Sequence, residues 1–225
     1  MLQPPGRGGG TLAFRQPAAV SRRAERRAQR AAPQRRRLRL SPRLAGGGEL
    51  DENNHRFSYA ASWEDIDDDG DLDLYVANDF GRNSLYQNIA PIGKPPQFRD
   101  IAAESGTEDI AAGMSAAWGD YDADGRMDLY VANMFSSAGN RIVRQGRFLG
   151  GSGDGATRGA FLRHARGNSL FRNLGGARFA DVSEQAGVTL GRWAWSSLFG
   201  DFNNDGYDDL FVANGFITQE DTGDL

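Results

Sequence analysis

The sequence contains no cysteine, which excludes disulfide staples and thiolate-based metal or redox sites. Histidine is nearly as scarce. His55 and His164 lie far apart in the chain, and each reads as an ordinary surface or loop residue rather than half of a zinc site. No Gly-x-Ser-x-Gly elbow occurs, so a hydrolase triad has no starting point. The stretch Gly150-Gly151-Ser152-Gly153-Asp154-Gly155 has the look of a phosphate cradle, but no Lys-Ser/Thr follows it and no strand clearly precedes it; a flexible loop is the better reading. No apolar run reaches the ~18 residues needed to span a bilayer, and no apolar core of about 7–15 residues marks a secretory signal.

Charge is present in both signs but unevenly placed. Residues 1–50 hold 12 of the 26 basic residues, all arginine, against two acids, Glu25 and Glu49. The remainder carries 14 basic residues against 28 acids, so a formal net charge of −4 conceals a basic arm on an acidic domain. The arm is built from Arg, Ala, Pro and Gly with few large apolar residues, so it cannot bury a core and is expected to be disordered. A nucleic-acid-binding tail would use such arginines, yet no aromatic interleaving accompanies them. A transit peptide would be Arg-rich and acid-poor, yet the prolines and glycines spoil an amphipathic helix. The sequence favours an extension outside the working domain, or a start placed upstream of it, because nothing downstream uses the basic charge.

What the sequence does have, it repeats. Trp63-Glu64-Asp65-Ile66-Asp67-Asp68-Asp69-Gly70-Asp71-Leu72-Asp73-Leu74-Tyr75-Val76-Ala77-Asn78 returns at residues 118–133 and again at 199–214. The shared core is Asp-x-Asp/Asn-x-Asp-Gly-x-x-Asp, a spacing that suits calcium, a hard cation taking about six to eight oxygens. Positions 1, 3 and 5 are Asp65, Asp67 and Asp69, then Asp120, Asp122 and Asp124, then Asp201, Asn203 and Asp205. Glycine at position 6 permits the sharp turn. Position 7 varies freely as Asp71, Arg126 and Tyr207, which suits a ligand supplied by the backbone carbonyl. Position 9 returns to a carboxylate in Asp73, Asp128 and Asp209. The third loop, with Asn203, carries less charge and should bind more weakly. The first, with Glu64, Asp68 and Asp71 besides, should suffer most from repulsion when empty.

An EF-hand opens the same way but closes with a bidentate Glu at position 12 on a helix. Here that position is Val76, Val131 or Val212 within an apolar, β-branched and aromatic run, which reads as a strand. Each loop therefore joins two strands. The bland alternative is that Asp-rich loops are merely good turns, since Asp accepts local backbone hydrogen bonds. Three copies in register favour the metal.

Further pieces recur. Asn83-Ser84-Leu85-Tyr86-Gln87-Asn88 matches Asn168-Ser169-Leu170-Phe171-Arg172-Asn173, and the segment from Phe98 to Gly106 matches that from Phe179 to Gly187. About four short strands per unit, separated by turn residues, suit the blades of a β-propeller. An insertion at 136–166, rich in Gly and Arg, carries a short helix around residues 160–165 and is read as a solvated loop that could carry specificity.

These units resemble FG-GAP/VCBS repeats, which the integrin α-subunit propeller uses with calcium-binding hairpin loops. More closely, they resemble the bacterial proteins that pair such a propeller with an ASPIC/UnbV segment, relatives of cartilage acidic protein. The resemblance covers residues 55–225. It implies an all-β fold, a partial propeller of integrin-α-like blades across residues 51–225, bound Ca2+, and a secreted, cell-surface or periplasmic location. Propellers close with about four to eight blades, and three loop units are present with no visible ASPIC/UnbV segment. The expectation is therefore part of a longer propeller, completed by further blades or another chain. The expected function is a non-enzymatic scaffold for a protein or glycan partner, with structural calcium. The competing expectations are a propeller-based metal-dependent hydrolase and nucleic-acid binding through the arginine arm. The first finds no acid, base or nucleophile outside the repeats; the second finds no recognised fold.

Overall fold

The computed structural model describes residues 50, 56–135, 137–145, 148 and 155–214. The basic arm expected over 1–50, apart from Leu50, lies outside the described residues, as do His55 and most of the glycine-rich stretch at 150–155.

The described chain is β-rich. The first unit comprises β1 (Phe57–Glu64), β2 (Asp73–Asp79), β3 (Ser84–Asn88) and β4 (Phe98–Asp100), followed by the one-turn helix α1 (Ala102–Ser105). The second comprises β5 (Gly113–Gly119), β6 (Asp128–Asn133), β7 (Ser169–Gly175) and β8 (Arg178–Asp181), with helices α2 (Ser137–Val143) and α3 (Gly155–Arg166) inserted between β6 and β7. The third is the hairpin of β9 (Ala194–Gly200) and β10 (Asp209–Asn214). Both four-stranded sheets are antiparallel meanders in sequence order.

The three opening hairpins share one register. Glu64 pairs with Asp73, Gly119 with Asp128 and Gly200 with Asp209, so the position-9 aspartate starts the second strand each time. An irregularity at the far end of each hairpin, at Ser58/Ala60, Gly113/Ser115 and Ala213/Asn214, turns the strand away. The repeat in sequence is thus a repeat in hydrogen-bond geometry.

In β6 the run Leu-Tyr-Val-Ala is apolar without alternation because that strand is covered on both faces. On β2, Tyr75 and Ala77 join Leu85 of β3 in one core with Leu129 and Val131 of β6, Phe171 of β7 and Phe179 of β8. On β6 the intervening residues, Tyr130 and Ala132, turn the other way and pack with Leu170, Ala194, Phe199, Leu210 and Val212. The second sheet therefore lies between the first and the third. Trp118 stands edge-on to Tyr75 at 6.4 Å between ring centroids and 6.2 Å from Phe179. Gly119 is a close approach to the third hairpin, since a Cβ there would fall 2.3 Å from the Phe199 ring.

A pair of asparagines locks each second strand to its third. Asn83 Oδ1 accepts from the Asn78 backbone N–H at 2.8 Å, while Asn78 Nδ2 donates to the Arg82 carbonyl at 2.7 Å. Asn168 Oδ1 accepts from Asn133 N–H at 2.8 Å, and Asn133 Nδ2 donates to the Gly167 carbonyl at 2.9 Å. All four are buried, and these bonds satisfy backbone groups that the connection between the two strands would leave bare.

The described part of the insertion is not merely a solvated loop. Helix α3 extends the short helix expected around 160–165 and docks onto the sheets. Arg163 Nε lies 3.3 Å from Oδ1 of the fully buried Asp109, and its Nη1 lies 3.1 Å from Asp181 Oδ2. The same guanidinium stands 5.5 Å from the Phe171 ring centroid. His164 Nδ1 lies 3.0 Å from the Ile110 carbonyl oxygen, so this histidine is an anchor of the helix.

Candidate metal centre

The loops at 65–72, 120–127 and 201–208 share one backbone course. Position 6 is Gly70, Gly125 or Gly206, with φ of 95°, 92° and 92°. Position 4 is also left-handed in every copy, at Asp68, Ala123 and Asn204, with φ of 64°, 58° and 61°. Asp and Asn tolerate this region, whereas alanine adopts it only under constraint.

The constraint is a repeated set of hydrogen bonds. The position-1 carboxylate accepts from the position-5 N–H: Asp65 from Asp69 at 3.1 Å, Asp120 from Asp124 at 2.9 Å, and Asp201 from Asp205 at 3.0 Å. Position 5 accepts from the position-7 N–H: Asp69 from Asp71 at 3.0 Å, Asp124 from Arg126 at 3.0 Å, and Asp205 from Tyr207 at 2.9 Å. Position 9 accepts from the position-2 N–H at 3.1 Å in all three, at Asp73, Asp128 and Asp209. Asn203 contributes a further bond, accepting from Asp205 N–H at 2.9 Å.

Turn-making alone would use these carboxylates up. It does not. Asp67 Oδ1 and Asp71 Oδ1 in the first loop, and Asp122 Oδ1 in the second, are shielded from solvent and have no hydrogen-bond partner. A buried carboxylate oxygen without a donor is costly unless a cation meets it. Asp65, Asp67 and Asp73 each bring one oxygen within 4.8 Å of the others, as do Asp120, Asp122 and Asp124. Hard oxygen donors on a turn, with no nitrogen or sulfur among them, are the donor set of calcium. The residues present fit such an ion. Asp65, Asp67 and Asp73 would hold it in the first loop and Asp120, Asp122 and Asp124 in the second, where it would supply neutralising charge. The third loop, with Asn203 at position 3, forms no such acidic group among the described residues and stands exposed.

Burial dominates the electrostatics of Asp73 and Asp128. It pushes Asp73 and Asp128 up to about 7, although the N–H groups of Asn88 and Ile66, and of Asn173 and Tyr121, pull the other way. Asp120 is raised chiefly by burial, and Asp71 by burial and then by neighbouring Asp69. A nearby dication would reverse all these shifts by favouring the ionised forms.

Two supporting positions escape a motif-based reading. Asn88 and Asn173 donate their backbone N–H to Asp73 and Asp128 at 2.7 Å, holding position 9 from the third strand. One residue earlier, Gln87 Nε2 donates to Asp67 Oδ2 at 2.7 Å, and Arg172 Nε lies 2.7 Å from Asp122 Oδ2. These two are the variable letter of the Asn-Ser-Leu-Tyr/Phe-x-Asn pattern, and only the pairing of third strand with loop reveals that they cover position 3. Arg126, expected to serve through its carbonyl, also turns its side chain back: Nε donates to the Asn173 carbonyl at 2.9 Å and Nη2 pairs with Asp124.

No curated protein matches the sequence. The FG-GAP-like repeat family matches twice, over residues 65–131 and 151–212. Each match begins at or before an acidic loop or its supporting strand and ends in the valine of the following Leu-Tyr/Phe-Val-Ala run. Together the two segments span more than half of the chain, which therefore belongs to the FG-GAP-like repeat family.

Proposed function

We propose that the chain forms blades of a calcium-stabilised β-propeller that serves as an extracellular or cell-surface scaffold for a protein or glycan partner, without catalysis of its own. The observation that carries the calcium reading is the set of orphaned, solvent-shielded carboxylate oxygens in loops of identical geometry. Calcium binding would be linked to folding, because each ion neutralises aspartates gathered from a single hairpin. Extracellular modules of this kind bind at ~10⁻⁴–10⁻³ M, which suits an environment rich in the ion.

Propeller closure is supported by the exposed faces. Phe211 occupies the place of Tyr75 and Tyr130, which cover the next sheet, yet it is 53% exposed. Leu74, equivalent to the buried Leu129, joins only a small cluster with Tyr86 and Phe98. Further blades, from this or another chain, would cover both faces. The wording of the units also favours the ASPIC/UnbV type of relative. No helix among the described residues is long and apolar enough to cross a membrane.

The test is a thermal melt of the full chain in chelator, in millimolar magnesium and in millimolar calcium. A rise of several degrees specific to calcium is expected. Equal melting in all three would overturn the metal reading.

A further inference from the structure

The first and second acidic loops share a buried side chain. Asn173, on β7, donates its backbone N–H to Asp128 Oδ1, at position 9 of the second loop, at 2.7 Å. Its Nδ2 carries two hydrogens and spends one on each loop. One goes to the carbonyl of Met127, in the second loop, and the other to the carbonyl of Ile66, at position 2 of the first, both at 3.1 Å. The amide oxygen accepts from the Gly175 N–H at 2.8 Å, which fixes which way the amide faces. Ile66 in turn donates its N–H to Asp73 Oδ2 at 3.1 Å, and Asp73 stands in the acidic group of the first loop. A line of hydrogen bonds therefore runs from the second loop through Asn173 and Ile66 to a carboxylate of the first. Asn173 is 2% exposed and Ile66 3%, so water does not compete for these bonds.

Resting on the calcium reading above, we propose that Asn173 is a positioning residue that couples the two loops, so that calcium in either one tightens binding in the other. Each loop is an element with two states: its aspartates repel one another when it is empty and converge when an ion neutralises them. Ordering the second loop fixes Met127 and Asp128, and through Asn173 the Ile66 carbonyl, so the first loop has less freedom left to lose. The effect is reciprocal by linkage. Charge alone gives the opposite sign, because a dication in one loop repels a second one nearby.

The experiment is a calorimetric calcium titration of the full chain, with far-UV circular dichroism to confirm that each variant is folded. Asp67→Asn and Asp122→Asn each abolish one class of heat and so assign it to a loop. Asp122→Asn is expected to weaken the first loop's class about five-fold, and Asp67→Asn to weaken the second loop's class by the same factor. Asn173→Ala keeps the backbone bond to Asp128 and removes the amide. In that background Asp122→Asn is expected to leave the first loop's affinity unchanged. Asn173→Ser, whose hydroxyl is too short to reach both carbonyls, repeats the measurement if the alanine variant does not fold. Asn88→Ala, at the matching place on β3, removes an amide that accepts from the Ala90 and Gln97 N–H groups, and should keep the five-fold dependence. A first-loop affinity that Asp122→Asn leaves unchanged or tightens would overturn the coupling while leaving the calcium reading intact. So would a dependence that survives loss of the Asn173 amide, or one lost equally in Asn88→Ala. No calcium heat in the wild type would overturn both.

Discussion

At the scale of single residues, the loops hold a backbone shape that two of their positions resist. Ala123 sits at φ 58°, where its Cβ crowds the following carbonyl, while the equivalent Asp68 and Asn204 belong to the residue types that tolerate this region. Ala123→Gly should relieve that strain, partly offset by the greater freedom of glycine in the unfolded chain, for a net gain of about 0.5 kcal/mol. Gly125→Ala should do the reverse at φ 92°, costing about 1–2 kcal/mol although nothing stands within 4 Å of the added Cβ. Chemical denaturation of the pair would check both signs. If both substitutions were neutral, the loop would not hold its left-handed course in solution.

At the scale of elements, the acidic hairpins were legible in the sequence because their chemistry is local: ligand, turn and strand lie within one run of residues. Their supports were not. Gln87 and Arg172 reach the loops from another strand, and only strand pairing brings them there. Asn83 and Asn168 stand in the sequence only as the first letter of a recurring motif, yet they are buried clamps on the end of the preceding strand. The docking of helix α3 is hidden in the sequence for a related reason. Of its anchors, Asp109 stands 54 residues before Arg163 and Asp181 15 residues after Arg166, and only the folded sheets bring both against the helix, so the Gly- and Arg-rich insertion reads as a solvated loop. The anchor carries a pH signature. Burial pushes the Asp181 carboxyl up, but the Ser183 hydrogen bond and the Arg166 guanidinium, 2.9 Å away, outweigh it and hold it below the usual range. A carboxyl depressed in the folded state contributes stability above its unfolded value, ~3.9, and loses it as pH falls through the folded value. The stability gap between wild type and Asp181→Asn should therefore be full near neutrality and should close on acidification. Melts across that range would show it, and a gap independent of pH would mean that hydrogen bonding alone, without charge, holds the helix.

At the scale of the whole described region, three sheets stack so that the middle one is covered on both faces. Leu129 and Tyr130 are neighbours in sequence but serve opposite interfaces. Leu129→Ala should cost about 3 kcal/mol, within the usual range for a fully buried leucine. Leu74→Ala, at the equivalent place on the outer face of the first sheet, should cost distinctly less, since its cluster is small and less completely covered. Denaturant midpoints would rank the two. Equal losses would mean that the outer face of the first sheet is covered in solution as fully as the inner one.

The two-sided covering of β6 also bears on how this chain can change over time. A strand whose alternate residues answer to different neighbours couples two interfaces that otherwise share no atoms, so drift at one is felt at the other through the rigid spacing of the backbone. The hairpin that ends in β10 answers to a single interface among the described residues. Its outward residues, Phe211 among them, take no part in that interface, and in the proposed propeller they would answer to the next blade alone.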